Sequence, residues 1–378
     1  MARKPAPGAD LIGASRLALE AVAGVTELVE AVHMNVLGKI GTPAIKPVAG
    51  VTALVYRSVK GVTRLVGGGI DKVLEKLVPV LGEQQGWPGR EALLAAVNGV
   101  LGDRLASSGN PLAIPMRLRH GGEPVVAERA RRRIVVLAHG LCMNDLQWQS
   151  GGFATALAEL GYTPLHLHYN SGRHISQNGR DLAELLEQLV RVWPTNLHDI
   201  TLLGHSMGGL LARSAVHHAS AAKMRWPKKL KQLLTLGTPH FGAPLERGGQ
   251  QLQTLLGWSR YSKPLVALTQ RRSAGIQDLR FASLIEADWG RSSTLPLPPR
   301  VACFAMAAIT AKSSKSLSAH TLGDGLVPLN SALGRHREAA RSLAFPPEHQ
   351  WVVPGIGHLA LQTDPAVLAK LREWLSPR

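Results

Sequence analysis

Ser206 lies in the run Gly204-His205-Ser206-Met207-Gly208-Gly209, between a strand expected over 199–203 and a helix expected over 207–218. A serine on a sharp strand-to-helix turn has strained backbone angles, and bulky neighbours would clash with the adjoining strand and helix. Glycine at 204 and 208 removes those clashes, so one hydroxyl is presented with a helix N-terminus behind it. That is the setting of a nucleophile, and Ser206 is expected to attack an acyl carbonyl.

Such an attack places negative charge on the former carbonyl oxygen, which needs preorganised donors. The backbone N–H of Met207 is expected to be one. The second is expected from the loop after the first strong strand, His139-Gly140-Leu141-Cys142-Met143-Asn144-Asp145. Leu141 N–H is the first choice there and Cys142 N–H the alternative. His139 precedes the serine on this same loop, so its ring is expected to be structural. The base is expected at His358, on the glycine-flanked loop Gly355-Ile356-Gly357-His358-Leu359 before the last helix. Asp324, in Gly323-Asp324-Gly325-Leu326-Val327-Pro328, follows the serine and precedes the histidine, the order serine, acid, histidine. It would hold the imidazole in the correct tautomer; the plainer reading is an ordinary Asp-Gly turn. Asp278 and Asp288 are rivals, both in helix-like sequence. Candidate substrate contacts are Cys142, His205, Asn170 and His174, the last two on the polar stretch 169–179 that follows a strand.

The elements that must position these residues are an alternation of strands and helices. Strands are expected over 134–138, 164–169, 199–203, 231–236 and 300–309, with helices over 152–160, 179–192, 207–218 and 365–374. That order argues for a mostly parallel sheet with helices on both faces. An insertion at about 245–299 carries Leu252, Leu255, Leu256, Trp258, Leu265, Val266 and Leu268 on helix-like spacing, suited to lining an acyl pocket for lipid-like or other apolar esters, to a mobile lid, or to a fixed cap. Residues 1–120 read as a separate helical region and 121–378 as the catalytic domain, with breakers at 107–111 and Gly121-Gly122 between them. A Gly-Val-Thr phrase recurs at Gly24, Gly50 and Gly61, the last two copies eleven residues apart and so on one helical face. With Arg57, Lys60, Arg64 and Lys72 nearby, the region suits either a helix on a lipid surface or a packed helical domain.

The chain of 378 residues has a formal net charge of +17, but its basic residues form no nucleic-acid-binding signature. Scattered solubilising charge and attraction to an anionic lipid surface both fit. Two cysteines, Cys142 and Cys303, make no disulfide framework. Without a signal-like h-region or a long uncharged apolar run, the expected location is cytoplasmic, in places peripheral to a membrane.

Taken together, VVLAHGLCMND, LLGHSMGGLLAR, LTLGTPHFGAP, GDGLVP and GIGH, spread over roughly residues 134–360, resemble the lipase and esterase branch of the α/β hydrolases. The pattern looks most like bacterial lipases of the GPI-inositol-deacylase type. The resemblance implies an α/β-hydrolase fold, hydrolysis of carboxylic esters, no metal and no organic cofactor. It implies nothing about residues 1–120, about the substrate or about any obligate protein partner. Acyl transfer to an alcohol by the same three residues is a second enzymatic reading. A lipid-surface binding protein with an incidental hydrolase domain is the reading from another class.

Overall fold

The computed structural model describes residues 90–124, 130–243, 273–293, 295–312 and 323–376. The Gly-Val-Thr repeats and the apolar positions 252–268 of the insertion lie outside these residues. The order of elements begins with helix α1 (Arg90–Ser107) and the hairpin β1 (Arg117–His120) and β2 (Glu123–Pro124). Then come β3 (Arg133–Ala138), α2 (Phe153–Glu159), β4 (Tyr162–His168), α3 (Ile175–Val192), β5 (Asp199–His205) and α4 (Met207–Ala221). After β6 (Leu230–Leu236) follow α5 (Ala274–Phe281), β7 (Ala302–Ile309), α6 (Leu329–Ala332), β8 (Gln350–Pro354) and α7 (Pro365–Leu375).

The eight strands of the described residues form one sheet in the order β2-β1-β4-β3-β5-β6-β7-β8. From β4 to β8 every neighbouring pair is parallel, whereas β1 runs antiparallel to both β2 and β4. This is the α/β-hydrolase fold. The side-chain alternation of β3 explains why its sequence is a continuous apolar run. Ile134, Val136 and Ala138 join one core with Leu182 and Leu186 of α3 and Leu211 and Ala215 of α4. Val135 and Leu137 join the opposite core with Phe153 and Leu157 of α2 and Leu371 and Trp374 of α7. Both faces are covered, so no strand face can be polar there.

The N-terminal boundary differs from the expectation of a break at residue 120. Gly121-Gly122 is the turn of the β1–β2 hairpin, with φ of 63° and 90°, and β1 is an integral strand of the sheet. A two-glycine hairpin turn and a linker carry the same sequence signal, because both need residues free of a Cβ. Helix α1 is likewise part of the core: Leu93, Ala96, Val97, Val100 and Leu105 are all buried.

The chain turns back at β3. From there it runs outward to β4, then crosses over to place β5 on the other side of β3. Ligands of open parallel sheets bind beyond the carboxyl ends of the strands at such a reversal. His139 follows β3 and Ser206 follows β5, so both fall at that point.

Candidate active site

Ser206 has φ 54° and ψ −123°, a conformation strained for any side chain, and it caps the N-terminus of α4. Close packing holds it there. Its N–H donates to the Leu236 carbonyl (2.8 Å), and its carbonyl accepts from Gly209 N–H (3.1 Å). A Cβ on Gly204 would lie 2.3 Å from Gly209 N, and one on Gly208 would lie 2.3 Å from the Ala138 carbonyl oxygen. The two glycines of the motif are therefore where helix and strand backbones meet.

The expected oxyanion loop packs directly on the serine. A Cβ on Gly140 would come within 3.1 Å of Ser206 Cβ. Met207 is the first residue of α4, and the first N–H groups of a helix have no partner within it. Of the two choices for the second donor, Cys142 N–H is engaged by Ser171 Oγ (3.0 Å). Leu141 N–H makes no hydrogen bond to another described residue. His139 is 1% exposed, stacks on Tyr169 at 4.3 Å, and its backbone carbonyl accepts from the Tyr169 hydroxyl (2.7 Å). Its Nδ1 meets the Gly140 carbonyl (2.9 Å), and since a carbonyl only accepts, that nitrogen carries the proton. Burial lowers its pKa to about 4, so the ring is neutral.

Asp324 and His358 meet as the chain order requires. His358 Nδ1 lies 2.6 Å from Asp324 Oδ2, while Asp324 Oδ1 accepts from Leu326 N–H (3.0 Å) and Val327 N–H (2.8 Å). A carboxylate only accepts, so Nδ1 is the donor to it, and in the neutral imidazole the lone pair then lies on Nε2. Nε2 is buried and has no hydrogen-bond partner. Two neighbours of Ser206 flank the same ring. His205 lies 4.7 Å away, centroid to centroid, and its Nε2 donates to the His358 carbonyl (3.0 Å). Gly237, at φ 57°, lies so close that a Cβ would stand 3.1 Å from His358 Cε1 and Nδ1. The strand end Leu236-Gly237 thus holds the serine through one residue and the histidine through the next, a role that only the Gly-Thr-Pro phrase hints at in the sequence.

The four candidate substrate contacts all have intramolecular work. Asn170 donates through Nδ2 to the Gly102 carbonyl (2.8 Å) and accepts from Gly172 N–H (3.1 Å). His174 places Nδ1 3.0 Å from Asp278 Oδ2 and stacks on Trp289 at 3.8 Å. Cys142 Sγ approaches the Ala96 carbonyl (3.9 Å), and His205 is the partner of His358 already described. These bonds tie loops together; they leave the four side chains little to offer a ligand. Asp278, one of the rival acids, is buried and also accepts from Ile175 N–H (2.8 Å), and Asp288 lies in a short 3₁₀ turn.

Glu91, Asp145 and His168 bring three metal-ligating atoms within 4.8 Å of one another. The Arg119 guanidinium sits among them, 3.1 Å from Glu91 Oε2 and 3.4 Å from Asp145 Oδ1, and already supplies the positive charge a cation would bring. Among the described residues, no helix is long and apolar enough to cross a membrane.

Residues 130–287 match the family model described as PGAP1-like alpha/beta domain. Among solved structures, the chain is similar to the mature lipase BlEst2 of Bacillus licheniformis, with 18% identity, a TM-score of 0.46, and coverage of 70% of this chain and 98% of that one. It is also similar to an esterase of Pyrobaculum calidifontis, with 13% identity, a TM-score of 0.42, and coverage of 80% and 92%. A lipase-esterase related protein of Clostridium acetobutylicum gives 12% identity, a TM-score of 0.39, and coverage of 69% and 98%. No curated protein matches the chain.

Proposed function

We propose that this chain is a serine hydrolase of carboxylic esters, with Ser206 as nucleophile, His358 as general base and acid, and Asp324 as the group that orients the imidazole. The observation that carries the reading is the His358 ring: Nδ1 held by Asp324 at 2.6 Å, Nε2 without a partner, and both neighbours of the strained Ser206 turn packed against it. Ser206 Oγ would attack the ester carbonyl while its proton passes to His358 Nε2. The oxyanion would be met by the N–H groups of Met207 and Leu141. Collapse expels the alcohol, which takes the proton from Nε2 and leaves an acyl group on Ser206. Water then repeats the sequence in reverse, releasing the carboxylic acid and restoring the hydroxyl.

The apolar residues of the insertion favour esters with an apolar acyl chain, and the family match agrees with ester chemistry on this fold. The same proposal places the work in the cytoplasm, with the basic residues before Arg90 touching an anionic lipid surface. Hydrolysis of p-nitrophenyl esters of increasing chain length, with Ser206→Ala as control, tests it. Equal turnover by the variant would overturn the nucleophile, and product analysis with a competing alcohol would reveal acyl transfer.

A further inference from the structure

Helix α1 precedes the parallel core in sequence, yet it lies directly behind the loop expected to donate to the oxyanion. A Cβ on Gly99 would fall 2.1 Å from Cys142 Sγ and 2.9 Å from Cys142 Cα and N. One turn on, a Cβ on Gly102 would fall 1.8 Å from Asn170 Oδ1, and one on Gly172 would fall 2.8 Å from Gly102 N. Glycine weakens a helix interior, so two glycines on one face of α1 need a reason in packing. Here the reason is backbone approach to the loops that follow β3 and β4.

Those two loops are also joined to each other. Ser171 Oγ accepts from Cys142 N–H (3.0 Å), and Cys142 is a non-glycine residue held at φ 58°. A left-handed conformation in a side-chain-bearing residue persists only where its surroundings over-determine it. The surroundings are Gly99 and Ala96 of α1 on one side and Ser171 on the other. Helix α1 is also tied to the start of α5: Ser273 Oγ donates to the Gly99 carbonyl (2.7 Å), and Ala274 N–H donates to Asp103 Oδ2 (3.0 Å).

We infer that α1 and Ser171 are positioning elements for the oxyanion hole: together they lock Cys142 in its left-handed turn and thereby fix the adjacent Leu141 N–H against Ser206. This rests on the serine-hydrolase reading above. No group in α1 touches substrate; the helix acts through the loop. The role also accounts for Cys142, whose N–H is taken by Ser171 and whose side chain is turned to the helix rather than to a ligand.

The test is the rate at which a fluorophosphonate labels Ser206 in the full-length protein, because its phosphoryl oxygen uses the same donors as the oxyanion. Ser171→Ala should slow labelling by ~10-fold, short of the ~10²–10³ that follows outright loss of an oxyanion donor. Ester turnover should show the same fall in kcat with little change in KM, and an unchanged pH profile, since His358 and Asp324 are untouched. Ser171→Thr, which keeps the hydroxyl, should restore the rate. Gly99→Ala should slow labelling at least as much as Ser171→Ala, and its thermal midpoint tells a displaced loop from a lost fold. Wild-type labelling and kcat in folded Ser171→Ala would overturn the inference while leaving the nucleophile intact. No labelling of the wild-type protein would instead remove the serine-hydrolase reading and this inference with it.

Discussion

Asp324 and His358 are joined twice. The side chains meet at 2.6 Å, and His358 N–H donates to the Asp324 carbonyl at 3.1 Å, so the ring and its backbone are anchored to the same residue. The turn around Asp324 is fixed in its own right by two backbone donors and by Gly323, where a Cβ would lie 1.9 Å from the Val327 carbonyl oxygen. Asp324→Asn keeps an acceptor for those turn bonds but can donate to His358 Nδ1 and hold the wrong tautomer. We expect kcat to fall on the order of 10⁴-fold with little change in thermal midpoint. A loss under about 10-fold, against that expectation, would move the acid elsewhere.

Ser206→Ala removes one oxygen from a buried turn whose geometry is set by backbone contacts. Turnover should fall on the order of 10⁶-fold, and fluorophosphonate labelling should disappear. The near-ultraviolet spectrum and melting should stay those of the wild type. Residual labelling at the same stoichiometry would show that another nucleophile reacts.

How much of this was legible in the sequence follows from the range of each interaction. The Ser206 turn is local: six consecutive residues contain the strand end, the glycines and the helix start, so the motif and its conformation are readable together. Asp324 and His358 were readable by order along the chain, because each lies on its own tight glycine turn. The work of Gly99, Gly102, Asn170 and Ser171 was not readable. Each meets a partner 29 or more residues away in the sequence, and neither a small residue in a helix nor a polar one in a loop shows which partner it has. For the same reason the hairpin at Gly121-Gly122 looked like a linker. The strand pairing that distinguishes the two, Leu118 against Leu167, spans the region between them.

Asp278 gives a pH-dependent expectation. Burial pushes its pKa up from 3.8 to about 6, against the opposing pull of His174 and Ile175 N–H. Below about pH 4 the carboxyl is protonated in both folded and unfolded chains. Between pH 4 and 6 only the unfolded chain ionises freely, so the folded state holds more protons and loses stability as pH rises. Asp278→Asn cannot ionise and escapes that loss. Its stability relative to wild type should therefore rise between pH 4 and pH 7.5, by up to about 3 kcal/mol for a shift of about two units. Urea midpoints at the two pH values measure it. An unchanged gap would mean that Asp278 is not held above its ordinary range.

The position of α1 and β1 makes a sharp distinction between two truncations. Removing residues 1–89 leaves both elements, so Ser206 labelling should proceed at the full-length rate. Removing residues 1–120 strips the helix behind Cys142 and exposes β4, which pairs with β1 along Arg117, Leu118 and Arg119. An uncovered edge strand invites association between chains, so this protein should aggregate and label poorly. The shorter truncation also decides the role of the basic repeats. Each Lys or Arg close to an anionic surface contributes about 1 kcal/mol, over a reach that salt shortens to about 8 Å at physiological ionic strength. If residues 1–89 form a lipid-surface element, the full chain should sediment with anionic vesicles at low salt and less so at high salt. The chain beginning at Arg90 should then stay in the supernatant under both conditions. Equal pelleting of the two proteins would remove the lipid-surface reading and leave these residues as a packed helical region.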